Sequence, residues 1–319
     1  MSVLSGLLQL RVNQRRRQLW TLSAVAVALS LLGLVLSWLS PAIGSPLRAG
    51  LDFTGGTQIQ IERRCQDSCP PLTTAALQRR LAGLQLPAAA AEPPPRLGSS
   101  AVQLLDDGRQ VVLRLPTLTA DQSQALVEAL EPDLGGTVPG GLGIDTIGPS
   151  LGAQLLRSSL VSLLVSFIGI SVYISLRYDR LYAVLALLCL GHDVLITCGV
   201  FAWLGLLAGV EVNSLFAVAL LTLAGYSVND TVVVFDRIRE KRAQLQGSSV
   251  AEQADAAVAA TLTRSLFTSF TTLLPLLGLI LFGGSTLFWF AVALSIGVVV
   301  GAWSSIAVAP TLLPVLARR

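Results

Sequence analysis

Asp230 stands in Tyr226-Ser227-Val228-Asn229-Asp230-Thr231, at the end of a run otherwise apolar enough to cross a bilayer. A carboxylate at that depth either finds a partner or takes up a proton, because desolvation disfavours its charged form. A group held near that choice can carry protons. The alternative is an acid that pairs with a neighbouring helix and only fixes packing. On a helical wheel at about 100° per residue, Tyr226, Ser227, Asn229 and Thr231 surround Asp230, while Leu221, Val228, Val232 and Phe235 take the other side. Asp230 is therefore predicted to face inward, roughly 10 Å inside the boundary marked by Arg237.

His192 and Asp193 interrupt another apolar run at Gly191-His192-Asp193-Val194, about 20 Å of helix beyond Arg180. Alone, His192 reads as a satisfied packing histidine; beside Asp193 the pair becomes a second proton-binding candidate, with Asp193 the stronger member. Arg264 opens a further run in which Thr268, Thr271, Thr272 and Pro275 follow at helical spacing as a polar stripe. The guanidinium either snorkels to the interface or pairs with Asp230, and a changing distance between them would shift the acid's proton affinity.

These residues need apolar elements to position them. The 319 residues are 53% hydrophobic and 13% charged, with mean hydropathy +0.69, which excludes an ordinary soluble domain. A membrane-spanning helix takes about 20 apolar residues, and 19–40, 155–176, 181–207, 212–234, 265–283 and 285–312 qualify. The last two are separated by the turn Phe282-Gly283-Gly284-Ser285. The first is too long for the apolar part of a cleaved signal peptide. Arg11, Arg15–Arg17, Arg177, Arg180, Arg237, Arg239, Lys241, Arg242, Arg318 and Arg319 all fall on one side, which predicts cytoplasmic termini and a large periplasmic loop. The predicted order is a cytoplasmic N-terminus (1–18), a first span (19–40), a periplasmic domain (41–153) and a five-helix membrane domain (154–319) with a cytoplasmic loop at 237–263. Within that loop Ser249-Val250-Ala251-Glu252 is a capping-box pattern, opening an alanine-rich surface helix to about Thr261. The net charge of +3 follows this anchoring bias and carries no nucleic-acid inference.

The large loop reads as a small α+β domain. Thr57–Glu62 alternates as a half-buried strand, 72–86 is helical in spacing, and Ala101–Leu105 and Gln110–Leu115 flank an Asp-Gly turn. Thr119 and Gln122 form a capping-box pattern for a helix through Leu130, and Thr137–Ile147 returns as a strand. The order β-α-β-β-α-β is the ferredoxin-like split motif. Asp52-Phe53-Thr54-Gly55-Gly56-Thr57 precedes the first strand, where paired glycines suit a tight turn. Cys65 and Cys69 either close a small disulfide or stay as thiols. Hydrolytic triads, phosphate loops and zinc spacings do not occur, so the sequence supports neither an enzyme nor a bound metal or cofactor; protons are the expected coupling ion.

Leu51–Thr57, Gly191–Val194, Tyr226–Glu240 and Thr261–Ser265, taken together and in order, resemble the SecD/SecF family of bacterial protein-export membrane proteins, in the resistance-nodulation-division superfamily. The motif around Asp230 is the most specific; 65–149 matches in layout more than in residues, and the Cys65/Cys69 pair and the 88–95 insert depart from the pattern. The resemblance implies half of a twelve-helix bundle completed by a SecD partner, association with the SecYEG translocon, contact with a translocating preprotein and with lipids, and export driven by the proton motive force across the inner membrane. It makes Asp230 the main proton-pathway acid and Arg264 its neighbouring arginine, and puts Asp193 in a motif shared by both halves; His192, Asn229, Thr231 and Thr268 are expected along the same pathway from their positions in the spans. Two other functions remain open: a proton-driven exporter of small molecules or lipids, and a subunit that only scaffolds its partner.

Overall fold

A computed structural model describes residues 11–65, 71–87 and 95–317. Two compact units are present, one formed by Gly50–Ser158 and the other by the residues flanking it.

The smaller unit begins with a helical turn α1 (Leu51–Thr54), followed by β1 (Gly56–Arg63), α2 (Thr74–Gly83), β2 (Ala101–Leu105), β3 (Gln110–Leu115), α3 (Ala120–Leu134) and β4 (Thr137–Ile147). The sheet order is β2-β3-β1-β4, and each neighbouring pair is antiparallel, as the ferredoxin-like motif requires. Alternation along β1 puts Ile59 and Ile61 into a core with Leu77 and Leu81 of α2, Val111 and Leu113 of β3, and Leu126, Leu130 and Leu134 of α3. Thr119 and Gln122 make the expected capping box. α2 is shorter than its periodicity suggests, because Thr73 caps it by accepting from the Ala76 N–H and the chain turns extended at Leu84. α3 is longer: Pro132 forgoes one hydrogen bond, but burial of Leu134 carries the helix on to Gly135, which ends it at φ 76°. Cys65 is disulfide-bonded, whereas Cys69 and most of the 88–95 insert lie outside the described residues.

Among the described residues, six helices are long and apolar enough to cross a membrane. They are α4 (Arg16–Leu39), which precedes the small unit in the chain, α5 (Pro149–Arg177), whose first turns belong to the small unit, α6 (Arg180–Ala208), α7 (Ser214–Gln244), α8 (Val250–Phe282), and α9 (Gly284–Trp303) continued through a π-helical turn, Ser304–Val308, into α10 (Ala309–Leu316). The chain is a polytopic membrane protein with a small α+β domain.

One expectation needs correction. The segment 237–263 is not a loop bearing a separate surface helix: α7 runs on to Gln244, Ser249 caps α8 through its capping box with Glu252, and α8 then continues unbroken to Phe282. Ala-rich sequence without Gly or Pro between Val250 and Ser265 offers no reason to stop. The final span, expected over 285–312, contains a π turn that widens it at Ser304–Val308.

Small residues bring α4 close to α6. Ser23, Ser30, Gly33 and Ser37 are the buried positions of α4, and a Cβ added at Gly199 would overlap Ser30. Indoles fasten the same helix: Trp20 donates to Thr311 Oγ1 at 2.8 Å, Trp303 to Ser23 Oγ at 3.0 Å, and Trp203 to the Leu29 carbonyl at 2.9 Å.

Candidate functional site

Asp193 and Asp230 reach the interior from adjacent helices. On α7, Ser227, Asp230 and Thr231 share the buried face, three and four residues apart, as the helical period requires. Asp193 is fully buried on α6, and Asp230 is 6% exposed. Each acid is held almost entirely by hydroxyl groups from neighbouring helices. Asp193 Oδ2 accepts from Ser227 Oγ at 2.5 Å and from Ser304 Oγ at 2.7 Å, while its Oδ1 lies 2.8 Å from His192 Nδ1. Asp230 Oδ1 accepts from Ser265 Oγ of α8 at 2.9 Å, and its Oδ2 accepts a short hydrogen bond from Ser305.

Thus one π turn supplies a donor to both acids. Gly301, one turn earlier, lets α9 approach: a Cβ there would sit 3.4 Å from Ser227 Cβ and 3.6 Å from Asp193 Oδ2. Each carboxylate is enclosed by protein and accepts from hydroxyl donors. Among the described residues neither acid is paired with a Lys or Arg side chain. These are conditions under which gaining or losing a proton changes the hydrogen bonding between four elements. Two buried polar atoms, His192 Nε2 and Thr231 Oγ1, lack a partner among the described residues.

Asp193, His192 and Asp230 thus share one region of the bundle, joined by Ser227, Ser304, Ser305 and Ser265. Arg264 is not brought to Asp230. Its side chain is exposed and forms no ion pair among the described residues, because α8 turns the adjacent Ser265 inward along a face that includes Ala254, Ala257, Val258, Thr261, Leu262 and Ser269. The threonine stripe is turned outward as well: Thr268 donates to the Arg264 and Ser265 carbonyls, and Thr271 and Thr272 also bond back to α8. Asn229 is exposed and lines a cleft of about 380 Å³ with Gly169, Ile170 and Tyr173 of α5. The polar arc around Asp230 is therefore narrower than the wheel suggests.

Ser265, Ser304 and Ser305 were not apparent as candidates. Ser304-Ser305 is a hydroxyl pair in a stretch from Ser265 to Ala317 that has no charged residue, which is the one signal available beforehand.

Asp52–Thr57 has a local role in the small unit. Leu51–Thr54 forms a helical turn that ends at Gly55, φ 68°, and Gly56 follows at φ 122°. A Cβ at Gly55 would lie 2.9 Å from Pro149 Cα, and one at Gly56 would lie 2.6 Å from the Leu115 carbonyl oxygen. Both glycines are required by conformation and by space. Thr57 is fully buried; its hydroxyl accepts from the Leu118 N–H at 2.9 Å and lies 3.0 Å from Thr146 Oγ1.

Residues 140–319 match the family model "Protein export membrane protein SecD/SecF, C-terminal", and residues 43–66 match the SecD/SecF GG motif. A relative named Protein translocase subunit SecF from Prochlorococcus marinus is 51% identical over 302 residues, covering 95% of this chain and 94% of the relative. Another of that name from Synechocystis sp. is 42% identical, covering 92% and 90%. The crystal structure of SecDF, described as a translocon-associated membrane protein from Thermus thermophilus, superposes with a TM-score of 0.79 at 29% identity, covering 98% of this chain but 39% of that one.

Proposed function

Because the chain belongs to the SecD/SecF family of protein-export membrane proteins, we propose that it uses the proton motive force, together with a SecD partner, to assist the late stage of preprotein translocation. The translocase-subunit relatives support an accessory role in Sec translocation, and six apolar helices with those relatives indicate a multi-pass inner-membrane protein. A role of this kind is not classical enzyme catalysis. Partnership with SecD is supported by the SecDF structure, of which this chain matches 39% and the remainder is available for a second half. SecYEG, the preprotein and lipids are the further partners of the proposal. The basic flanks support an orientation with both termini in the cytoplasm and the small domain in the periplasm.

The observation that carries proton coupling is the pair of buried acids, Asp193 and Asp230, bound by hydroxyls from α7, α8 and the π turn without a basic side chain on Asp230. Protonation of Asp230 removes the charge that draws Ser265 and Ser305 together, so the packing of α7, α8 and the last span depends on proton occupancy. His192, Asn229, Thr231, Arg264 and Thr268 complete the proposed pathway, with Asn229, Arg264 and Thr268 entering it in another arrangement of the helices. Movement of the spans displaces the periplasmic domain, which hinders backsliding of the emerging polypeptide. One charge crossing the field is worth about 2.3 kcal/mol per 100 mV, so a few protons suffice to bias such a movement. No bound cofactor is invoked.

Asp230→Asn provides the test, in the full chain coexpressed with SecD. Proton flux and late export are expected to be lost while the two proteins still copurify. Export and flux at the wild-type level in that variant would leave only a scaffold.

A further inference from the structure

Ser304 and Ser305 each have two acceptors for a single hydroxyl hydrogen. Ser304 Oγ lies 2.7 Å from Asp193 Oδ2 and 3.1 Å from the Gly301 carbonyl oxygen. Ser305 Oγ donates to Asp230 Oδ2 and lies 3.1 Å from the Ala302 carbonyl oxygen. A serine has one O–H donor and two acceptor lone pairs, so it serves one of these acceptors fully at a time. An ionised carboxylate accepts only; a protonated one donates, and the hydroxyl facing it must then turn its hydrogen elsewhere. In both cases the alternative acceptor is the carbonyl three residues earlier on the same helix.

These two serines are also part of the irregular backbone. The Ala309 N–H bonds to the Ser304 carbonyl, five residues back, which is the wider π spacing. Hydroxyls drawn outward to two ionised acids hold this turn open, whereas hydroxyls turned back to Gly301 and Ala302 draw it toward tighter winding. We propose that Ser304 and Ser305 are positioning residues through which the protonation states of Asp193 and Asp230 are linked, the π turn being the element both acids pull upon. The serines keep their own hydrogens throughout; the proton enters or leaves a carboxyl oxygen, and only the Cβ–Oγ rotor and the turn respond.

The proposal rests on the proton-binding role of the two acids given above. Other ionisable groups near them are few. α6 contributes His192, on Asp193, and Cys189, whose Sγ lies 3.9 Å from the Ser304 carbonyl oxygen. α7 contributes Tyr226, hydrogen-bonded to Ser269 at 3.0 Å, and α8 contributes the exposed Arg264. Neither α4 from Leu19 to Leu39 nor the chain from Gly284 to Leu316 carries an ionisable side chain.

Ser305→Ala separates the possible linkages by sign. The Ser305 hydroxyl bonds Asp230 and not Asp193, whose side-chain partners are His192, Ser227 and Ser304, so Ser304 and Ser305 communicate through the turn they share. Losing a donor to its ionised form moves the Asp230 protonation midpoint upward by about one pH unit. If the turn links the acids, it then tightens, Ser304 turns toward Gly301, and the Asp193 midpoint also moves upward. Direct charge repulsion alone would move it downward, since a neutral Asp230 makes ionising Asp193 easier.

The experiment is an infrared titration of the carboxyl bands in the full chain assembled with SecD in lipid vesicles, with bands assigned by Asp193→Asn and Asp230→Asn. The expected result is an upward shift at both acids in Ser305→Ala and return of both toward wild type in Ser305→Thr, which keeps the hydroxyl. An unmoved or lowered Asp193 midpoint overturns the linkage and leaves the proton-binding role standing. Absence of any titrating Asp230 band overturns both. Copurification with SecD excludes misfolding as the source of a shift, and should Ser305→Ala not assemble, Ser304→Ala gives the reciprocal reading at Asp230.

Discussion

Ser265 Oγ donates to Asp230 Oδ1 at 2.9 Å, so it is a hydroxyl of α8 that meets the acid of α7, while the neighbouring Arg264 faces outward. Consecutive helical residues point about 100° apart, so exchanging one for the other takes a rotation of about that size in this part of α8. A hydroxyl adjusts to either protonation state of a carboxyl, whereas a guanidinium favours only the ionised one. The conformation seen here is therefore one in which Asp230 can hold or release a proton without disturbing an ion pair.

Ser265→Ala and Arg264→Ala should accordingly separate. On the proton-coupled reading proposed above, the serine variant loses a donor to ionised Asp230, and the pH of half-maximal export is expected to move upward by about one unit. Arg264→Ala should leave thermal stability in this conformation within about 0.5 kcal/mol, as for other exposed side chains. Thermal unfolding in detergent checks the second outcome. A loss of several kcal/mol would show that Arg264 is engaged here after all.

The close approach of α4 and α6 yields a packing prediction. Gly199→Ala places a methyl group against Ser30, whose backbone cannot withdraw without moving α4. Destabilisation of about 1–3 kcal/mol is expected, read as a lower Tm. Combining it with Ser30→Gly should recover only part of that loss, because Ser30 Cα is also in the way.

Arg63 makes a corresponding prediction for the small domain. It is 3% exposed at the end of β1, and donates to the Leu134 carbonyl at 2.9 Å and to the Gly108 carbonyl at 2.8 Å. It thereby ties the C-terminus of α3 to the β2–β3 turn, and burial lowers its pKa from the usual arginine value. Arg63→Met keeps the stem but loses both bonds, at a cost of about 2–4 kcal/mol. Hydrogen exchange on the full chain should show lost protection first around 108–109 and 134–136. Unchanged protection would reduce Arg63 to a packing residue.

Much of this architecture was legible beforehand for identifiable reasons. Asp230 and Asp193 stood out because an acid within an apolar span is costly enough to be rare. The strands of the small domain followed from period-two alternation, as at Gln58, Ile59, Gln60 and Ile61, and Thr119 and Ser249 marked their helices through capping boxes. Hydroxyls gave no comparable signal. Thr271 and Ser265 look alike in sequence, but Thr271 satisfies itself on the Phe267 carbonyl and Ser265 reaches Asp230. Only the packing of α8 on α7 distinguishes them. The π turn was also hidden, because Ser304–Val308 contains neither Gly nor Pro to mark it.

Tyr178, in the two-residue link between α5 and α6, carries a prediction at high pH. The residue is 6% exposed, its hydroxyl donates to Asp236 Oδ1 at 3.1 Å, and the guanidinium carbons of Arg177 and Arg239 lie 5.1 and 5.8 Å from the ring centre. Burial first, and then the hydrogen bond to Asp236, push the phenol from 10.0 up to about 12. Since the folded protein favours the protonated phenol, this stabilisation is complete below about pH 10 and is lost as pH rises through about 12. Tyr178→Phe removes the hydrogen bond, costing about 1 kcal/mol at neutral pH, and should flatten the stability decline across that alkaline window. Ultraviolet difference titration of wild type against Tyr178→Phe measures this phenol directly. A phenolate band growing in near pH 12 is the expected outcome; one centred near pH 10 would mean that the link leaves Tyr178 open to solvent and unpaired with Asp236.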